Sequence, residues 1–124
     1  LYSYPDLMVV CGEMQFLDEN RDVIINPKVI IEVASPSTEA FDYGEKFLLY
    51  RTFNPSLTDY LIVAQDRTSI EHFALREDGL WMIADSVVDL SGRVHITSIN
   101  CDLQLAEVYD RVEFPEEEEG LDEE

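Results

Sequence analysis

The sequence predicts an α/β fold, more closely an α+β mixed sheet with one main helix packed on it. Two apolar runs, Val29–Ala34 and Asp59–Ala64, are typical of strands that are buried on both faces. A helical stretch lies between these runs, and several short strand and turn segments follow them. The order of strand, strand, helix, strand and then a run of strands is expected of such a sheet.

The first two predicted strands are separated by a polar turn. Residues 6–10 form the first strand, which follows Pro5, and residues 18–21 indicate the turn. Pro27 begins the second strand, because proline is tolerated at the first residue of a strand. This strand runs to about Ala34.

One helix is predicted over residues 38–52. No proline interrupts this stretch until Asn54-Pro55 ends the pattern, although Gly44 weakens it. The residues that precede the helix are of the types that cap helix N-termini: Ser35, Ser37 and Thr38.

The remaining segments predict an antiparallel meander that continues from the buried strand at residues 59–64. Its later strands and turns alternate along the chain: strands at 69–75, 80–85 and 93–96, and turns at 77–79 and 91–92. Residues 106–112 predict a short final helix.

The length of 124 residues allows one domain with a core, which we assign to residues 1–112. Residues 113–124 contain eight acids and no base, a composition typical of a solvated, mobile tail. The sequence begins at Leu1 and not at methionine, so we expect it to be a fragment that lacks N-terminal elements of the fold.

Composition argues against several functions. The net charge of −19 disfavours a general nucleic-acid binder, because such proteins are normally basic. No apolar stretch is long enough to span a bilayer, so we expect no membrane partner. Cys11 and Cys101 lack the spacing of a zinc site and are expected to be free thiols in the cytoplasm.

Glu32 is the most informative residue, because it lies inside the most apolar run of the chain, residues 29–34. A carboxylate in a strand buried on both faces loses its water and needs a partner. Without one it would bind a proton. A metal ion or a buried lysine would provide that partner.

The predicted hairpin brings Asp6 close to Glu32. Paired positions in an antiparallel hairpin share a constant index sum, and a turn around Glu19-Asn20 sets that sum near 39. The indices of Asp6 and Glu32 add to 38, so the two acids would lie about 5 Å apart at Cβ. A divalent cation would relieve their repulsion, and Mg²⁺ is typically held by one or two carboxylates.

These residues together resemble the PD-(D/E)XK nucleases of the restriction-endonuclease-like superfamily. The closer similarity is to a large bacterial family assigned as endonucleases, the Uma type, and it covers roughly residues 4–112. Its pattern is matched by Tyr4-Pro5-Asp6, then Glu32-Val33-x-Ser35-Pro36-Ser37-Thr38, then Asp42, Lys46 and Tyr50 at helical spacing.

The resemblance implies a restriction-endonuclease-like core and metal-assisted hydrolysis of a phosphodiester. Asp6 and Glu32 would bind Mg²⁺ or Mn²⁺, with the backbone carbonyl of Val33 as a further ligand. The superfamily lysine expected two residues after the second acid is replaced here by Ala34. The family pattern implies that Lys46, from the following helix, takes its catalytic role.

Each candidate also has a structural interpretation. Pro5-Asp6 is a common turn pair, and Glu32 could form a buried ion pair with Lys46 or with an arginine. Asp42 and Lys46 are four residues apart and could form a surface salt bridge. Asp42 could alternatively position Lys46 for its role.

Other polar and aromatic residues have mainly structural interpretations. His72 and His95 lie in separate predicted strands and are expected to be ordinary, and Trp81 is expected to pack in the core with Phe73 and Tyr60. Gln65 ends a buried strand near the expected site.

We therefore keep two functions. The first is a Mg²⁺-dependent endonuclease with DNA as its suspected substrate, which could act as a homodimer by analogy with nucleases that carry one site per chain. The second is a catalytically inactive domain of the same fold, whose acidic surface binds a basic partner or mimics DNA. The charge of −19 favours the second function, and the set of two acids and a lysine favours the first.

Overall fold

A computed structural model describes residues 5–16, 24 and 26–114. The strands are β1 (Leu7–Val9), β2 (Val29–Ala34), β3 (Asp59–Ala64), β4 (Ile70–Leu75), β5 (Trp81–Val87), β6 (Arg93–Ile96) and β7 (Cys101–Gln104). The helices are α1 (Glu39–Tyr43), α2 (Glu45–Phe53) and α3 (Leu105–Val108), and a 3₁₀ turn spans Thr97–Ile99. The predicted turn at residues 18–21 and the acidic residues 115–124 lie outside the described residues.

Five strands form a mixed sheet in the order β1-β2-β3-β4-β5. β2 and β3 are parallel, and the other neighbouring pairs are antiparallel. A parallel pair needs a crossover connection, and α1 and α2 provide it. The predicted fold class, an α+β mixed sheet with a restriction-endonuclease-like core, is confirmed.

The predicted meander is confirmed for β3, β4 and β5, but β6 does not extend it. β6 pairs instead with β7 in a separate two-stranded antiparallel sheet. Alternating residues identified β6 as a strand, but they could not identify its pairing partner. The 3₁₀ turn at 97–99 and Asn100, whose φ is +49°, bring β7 back against β6.

The single helix predicted over residues 38–52 is wrong in one respect, because two helices meet at Gly44. This residue has φ −102° and ψ −95°, which lies outside the α-helical region. A Cβ atom added there would lie 3.2 Å from the carbonyl oxygen of Ala40, tighter than an ordinary contact. The last helix also differs from its predicted range of 106–112, since it ends at Val108.

Alternate residues of β2 and β3 face opposite sides of the sheet, as the period of two requires. The side that packs on α1 and α2 holds a core of Ile30, Ala34, Phe47, Tyr50, Leu57, Tyr60 and Ile62. The other side packs on β6, β7 and α3 through Val29, Leu61, Val63, Ile70, Val94, Ile96, Leu105 and Tyr109. Glu32 lies between Ile30 and Ala34 in this alternation and therefore faces the helices.

Phe47 of α2 is the centre of an aromatic cluster on the helix side. Its ring stacks on Tyr60 at a centroid distance of 4.4 Å and contacts Phe73 at 5.1 Å and Trp81 at 5.2 Å. Aromatic pairs at these distances add to the stabilisation from burial. The expectation that Trp81 packs in the core with Phe73 and Tyr60 is confirmed. Among the described residues, no helix is both long and apolar enough to cross a membrane.

Candidate metal and catalytic site

Glu32 is buried under the helices, with only 1% of the residue exposed. Its Oε1 atom accepts a hydrogen bond from Lys46 Nζ at 2.7 Å. Its Oε2 atom is equally buried and has no hydrogen-bond partner within the described part of the chain. A buried carboxylate oxygen without a partner is costly, so this atom is a candidate ligand for a cation.

Burial raises the pKa of the Glu32 carboxyl above its ordinary value of 4.5. The hydrogen bond and the charge of Lys46 oppose this rise, while repulsion from Asp6 and Asp42 adds to it. For Lys46, desolvation opposes the charged form, but the hydrogen bond and attraction from Glu32 outweigh it and raise the pKa of the ammonium. Lys46 therefore stays protonated at neutral pH.

Asp6 lies one residue before β1, in the register that the index sum predicted. Leu7 pairs with Ile31 and Val9 with Val29, so the index sum along this hairpin is 38. The isolated bridge between Phe16 and Ile24 has an index sum of 40, so the pairing shifts only beyond the paired strands and the β1–β2 register is kept. The same register continued by one residue sets Asp6 opposite Glu32.

The Asp6 carboxylate is exposed, and its Oδ2 atom accepts a hydrogen bond from the backbone N–H of Val33 at 2.8 Å. The N–H and C=O groups of one strand residue point towards the same neighbouring strand. The Val33 carbonyl therefore points to the Asp6 side of β2 and away from β3. The backbone oxygen of Val33 therefore points from β2 towards β1, the direction from which Asp6 approaches.

Lys46 lies in the first turn of α2, and its ammonium group contacts a second acid. Asp42 of α1 is only 2% exposed, and its Oδ1 atom lies 3.4 Å from Lys46 Nζ. The pair keeps the i, i+4 spacing although Gly44 separates the two helices. The expected surface salt bridge is thus a buried one, and it joins the Glu32–Lys46 pair in one cluster.

Two other sequence expectations have mixed outcomes. Thr38 is the N-cap residue of α1, but it makes no capping side-chain bond to that helix. Its hydroxyl group instead bonds to Ser35. Gln65 is exposed beyond β3 and donates its backbone N–H to the Ala34 carbonyl.

The two histidines lie away from the Glu32 cluster. His95 is exposed and contacts Asp102 on the paired strand at 2.5 Å. His72 is buried on the opposite side of the sheet, where its Nε2 atom lies 2.6 Å from Asp59 Oδ2. Both act in structural pairs, in agreement with the sequence expectation.

The buried network around Asp59 was not predicted from the sequence. The Oδ1 atom of this residue accepts hydrogen bonds from Ser98 at 2.6 Å and from Thr58 at 2.7 Å. Burial opposes ionisation, but these bonds and that of His72 lower the pKa of Asp59 below 3.8. An acid at the start of a strand buried on both faces was the sequence feature that could have indicated it.

A second missed contact lies on the helix side of the sheet. Tyr43 of α1 donates a hydrogen bond to Glu71 of β4, and Ser86 of β5 donates another at 3.3 Å. Glu71 pairs with Ile62, which pairs with Glu32, so the two glutamates occupy one row across the sheet. Two strand spacings separate them by roughly 10 Å, too far for one metal ion.

The described residues contain no group of three or more His, Cys, Asp or Glu side chains arranged to hold a metal ion. A site made by two carboxylates and a backbone carbonyl has fewer side-chain ligands than such a group. Such a set suits Mg²⁺, which keeps several waters and uses substrate phosphate oxygens as ligands. It does not suit a structural zinc ion, which needs four protein ligands.

The mixed five-stranded sheet, with a second two-stranded sheet and few helices, is consistent with a restriction-endonuclease-like fold. The family model described as "Putative restriction endonuclease", Uma2, matches residues 1–106. The chain therefore belongs to the Uma2 family.

Two curated relatives come from the cyanobacterium Synechocystis sp. The uncharacterized protein sll1609 is 38% identical over 84 residues, which cover 68% of this chain and 47% of that protein. The uncharacterized protein slr1290 is 34% identical over 113 residues, which cover 91% of this chain and 57% of that protein. The chain thus spans about half the length of each relative.

Proposed function

We propose that this protein is an endonuclease that hydrolyses phosphodiester bonds of DNA with the help of Mg²⁺ or Mn²⁺. Membership of the Uma2 family supports a nuclease-like function in general. The observation that carries the specific proposal is the buried Oε2 atom of Glu32, which lacks a hydrogen-bond partner among the described residues although Lys46 contacts the other oxygen of the same carboxylate.

The residues around Glu32 fit a small hard cation. Asp6 and Glu32 would hold it through carboxylate oxygens, and the Val33 carbonyl points to the same side of β2 as the group that bonds Asp6. A divalent cation held there would lower the pKa of a water molecule and polarise a phosphoryl oxygen.

Lys46 would act as a fixed positive charge and not as a base, because its pKa is raised. Its ammonium group would donate a hydrogen bond to the attacking water or to a phosphoryl oxygen that gains negative charge. The side chain is 13% exposed, so the charge acts from a largely water-free position. Electrostatic stabilisation is stronger in such a position than in water.

The second candidate function is an inactive interaction module, and the net charge of −19 favours it. A phosphate backbone is repelled by such a surface, so any DNA contact would depend on the cation and a few local basic residues. On this alternative, Glu32 and Lys46 would form only a structural ion pair, and a basic protein would bind the acidic surface.

Cleavage of labelled DNA by the purified protein with Mg²⁺ or Mn²⁺ tests the proposal. Glu32→Gln and Lys46→Met should each reduce the rate by at least about 100-fold. Glu71→Gln is the matched control for the first variant, because it makes the same change in the same row of the sheet. It should leave the rate within a few fold. Equal cleavage rates for wild type and the three variants, or no cleavage by any of them with either metal, would favour the interaction module.

A further inference from the structure

The ammonium group of Lys46 lies between two buried carboxylates. Its Nζ atom is 2.7 Å from Glu32 Oε1 and 3.4 Å from Asp42 Oδ1. The first distance is that of a strong charge-assisted hydrogen bond, and the second is an ion-pair contact slightly beyond that range. Glu32 is thus the primary partner of Lys46 in the structure, and Asp42 is the second.

Asp42 is held in place by contacts that do not involve Lys46. Its backbone carbonyl accepts a hydrogen bond from the hydroxyl group of Tyr60 at 2.8 Å. Tyr60 is fully buried in β3 and stacks on Phe47 of α2. The backbone that carries the second carboxylate is therefore fixed to the sheet by contacts that do not depend on Lys46.

The rings of Phe41 and Tyr50 limit where Lys46 can move. Its Nζ atom lies 5.9 Å from the centre of the Phe41 ring and 6.0 Å from that of Tyr50. Both rings can attract an ammonium group at these distances. A short shift from Glu32 towards Asp42 keeps Lys46 within this space.

A divalent cation on Glu32 would compete with Lys46 for the same carboxylate. Two positive groups on one acid repel each other, so a lysine with no other acid nearby would turn away from Glu32. Asp42 removes this conflict by charge balance. Asp6, Glu32 and Asp42 supply three negative charges, and Lys46 with a divalent cation supplies three positive ones.

We infer that Asp42 is a positioning residue that retains the side chain of Lys46 when Glu32 becomes engaged by a cation. This inference rests on the proposed function, since it assigns Lys46 one partner without the cation, Glu32, and another, Asp42, when the cation is bound. Asp42 itself touches neither the substrate nor the cation. It acts only through Lys46.

A crystal structure of Glu32→Gln tests the retention step without any metal. The amide removes the charge of the primary partner, so Lys46 Nζ should move to within about 3 Å of Asp42 Oδ1. A lysine that instead turns to solvent would overturn the inference. Because no metal is involved, this result is independent of whether the protein is a nuclease.

Double-mutant cycles, made once with Glu and once with Gln at position 32, measure the interaction energy between Asp42 and Lys46. Asp42→Asn and Lys46→Met, made singly and together, yield the coupling between the two side chains in urea unfolding. The coupling, expressed as a ratio of unfolding constants, should be at least about fivefold larger with Gln at position 32 than with Glu. An unchanged coupling would contradict the retention of Lys46 by Asp42.

Mg²⁺ titration of the DNA-cleavage rate tests the link to function. Asp42→Asn should need at least about tenfold more Mg²⁺ for half-maximal rate, and Asp42→Glu, which keeps the charge, should recover most of the loss. Equal Mg²⁺ requirements for Asp42→Asn and wild type would overturn the inference while leaving the proposed function intact. Absence of cleavage and metal binding in wild type would instead remove the proposed function, and the metal-free measurements would still decide the Lys46 contact.

Discussion

The Oδ2 atom of Asp6 and the backbone N–H of Val33 are joined by a hydrogen bond of 2.8 Å. This bond fixes an exposed acid just before β1 to the residue that follows the buried Glu32. It gives Asp6 a structural role in addition to the proposed metal-binding role. The two roles depend on different properties, since the hydrogen bond needs an acceptor oxygen and the cation needs a charge.

Asp6→Asn separates these roles, because the amide keeps an acceptor oxygen and loses the charge. We expect its free energy of unfolding to stay within about 1 kcal/mol of wild type, since the bond is solvent-exposed. Mg²⁺ affinity, measured by calorimetric titration, should fall by about 10- to 100-fold. Asp6→Ala loses the acceptor as well and should be less stable than Asp6→Asn. Unchanged Mg²⁺ affinity in both variants would exclude Asp6 as a ligand.

The hairpin register could be predicted from the sequence, because antiparallel pairing ties position to a simple index sum. The predicted sum near 39 was within one residue of the observed 38, and it put Asp6 opposite Glu32. The helix break at Gly44 and the pairing of β6 with β7 could not be predicted. Both depend on three-dimensional packing, which a local pattern of residues does not contain.

The site was predictable only in part, for a related reason. An acid in an apolar strand identified Glu32, but the position usually occupied by the lysine holds Ala34. Only the structure shows that Lys46 approaches Glu32, at 2.7 Å. The Asp59 network was not predicted, because Ser98, one of the partners of Asp59, lies 39 residues away and beyond the main sheet. Periodicity identifies elements, but not the polar atoms that meet between them.

The pKa of Glu32 predicts how its contribution to stability depends on pH. Burial raises that pKa in the folded state, so the folded protein binds the proton more readily than the unfolded chain. The resulting stabilisation is complete below about pH 4.5, the ordinary value, and is lost as the pH rises through the folded-state pKa. Wild type should therefore lose stability relative to Glu32→Gln as the pH rises from about 4 to 7.

Urea unfolding of both proteins across that pH range measures this difference. Glu71→Gln again serves as the matched control, because it makes the same change in the same row of the sheet. If the wild-type advantage over Glu32→Gln instead grew with pH, the direction of the Glu32 pKa shift would be wrong.

Tyr60→Phe should weaken the support of Asp42 while it keeps the stacking on Phe47. The substitution removes the hydroxyl group that donates to the Asp42 carbonyl at 2.8 Å, which should cost about 1 kcal/mol in unfolding free energy. Because Asp42 is then less firmly held, we also expect weaker Mg²⁺ activation of cleavage.

Tyr109→Phe is the matched control for this change. Tyr109 is also buried and also bonds backbone groups through its hydroxyl, but it contacts Ala64 and Ser69 on the other side of the sheet. The Tyr109→Phe substitution should lower the free energy of unfolding by a similar amount without any change in the Mg²⁺ activation of cleavage. Similar Mg²⁺ responses in the two variants would show that the Tyr60 hydroxyl does not act through the site.

Asp59→Asn should destabilise the protein without direct effect on the site, because Asp59 joins the main sheet to the turn that precedes β7. Its bonds to His72 and Ser98 are buried or partly buried, and removing the charge should cost about 3 kcal/mol at pH 7.

The cost of Asp59→Asn should also depend on pH. Burial opposes ionisation of Asp59, but its hydrogen bonds outweigh burial and lower the pKa. A group with a lowered pKa stabilises the fold above the unfolded value, here about 3.8, and this contribution is lost as the pH falls through the folded-state pKa. The cost of Asp59→Asn should accordingly shrink below pH 3.8.

Asp102→Asn is the matched control for this last change, because it alters an acid–histidine pair that is exposed. The Asp102–His95 pair competes with water, so its loss should cost less than about 1 kcal/mol. Urea unfolding at about pH 3 and pH 7 compares the two variants below and above 3.8, the ordinary pKa of an aspartate. Equal costs for Asp59→Asn and Asp102→Asn would show that the buried network adds nothing beyond a surface pair.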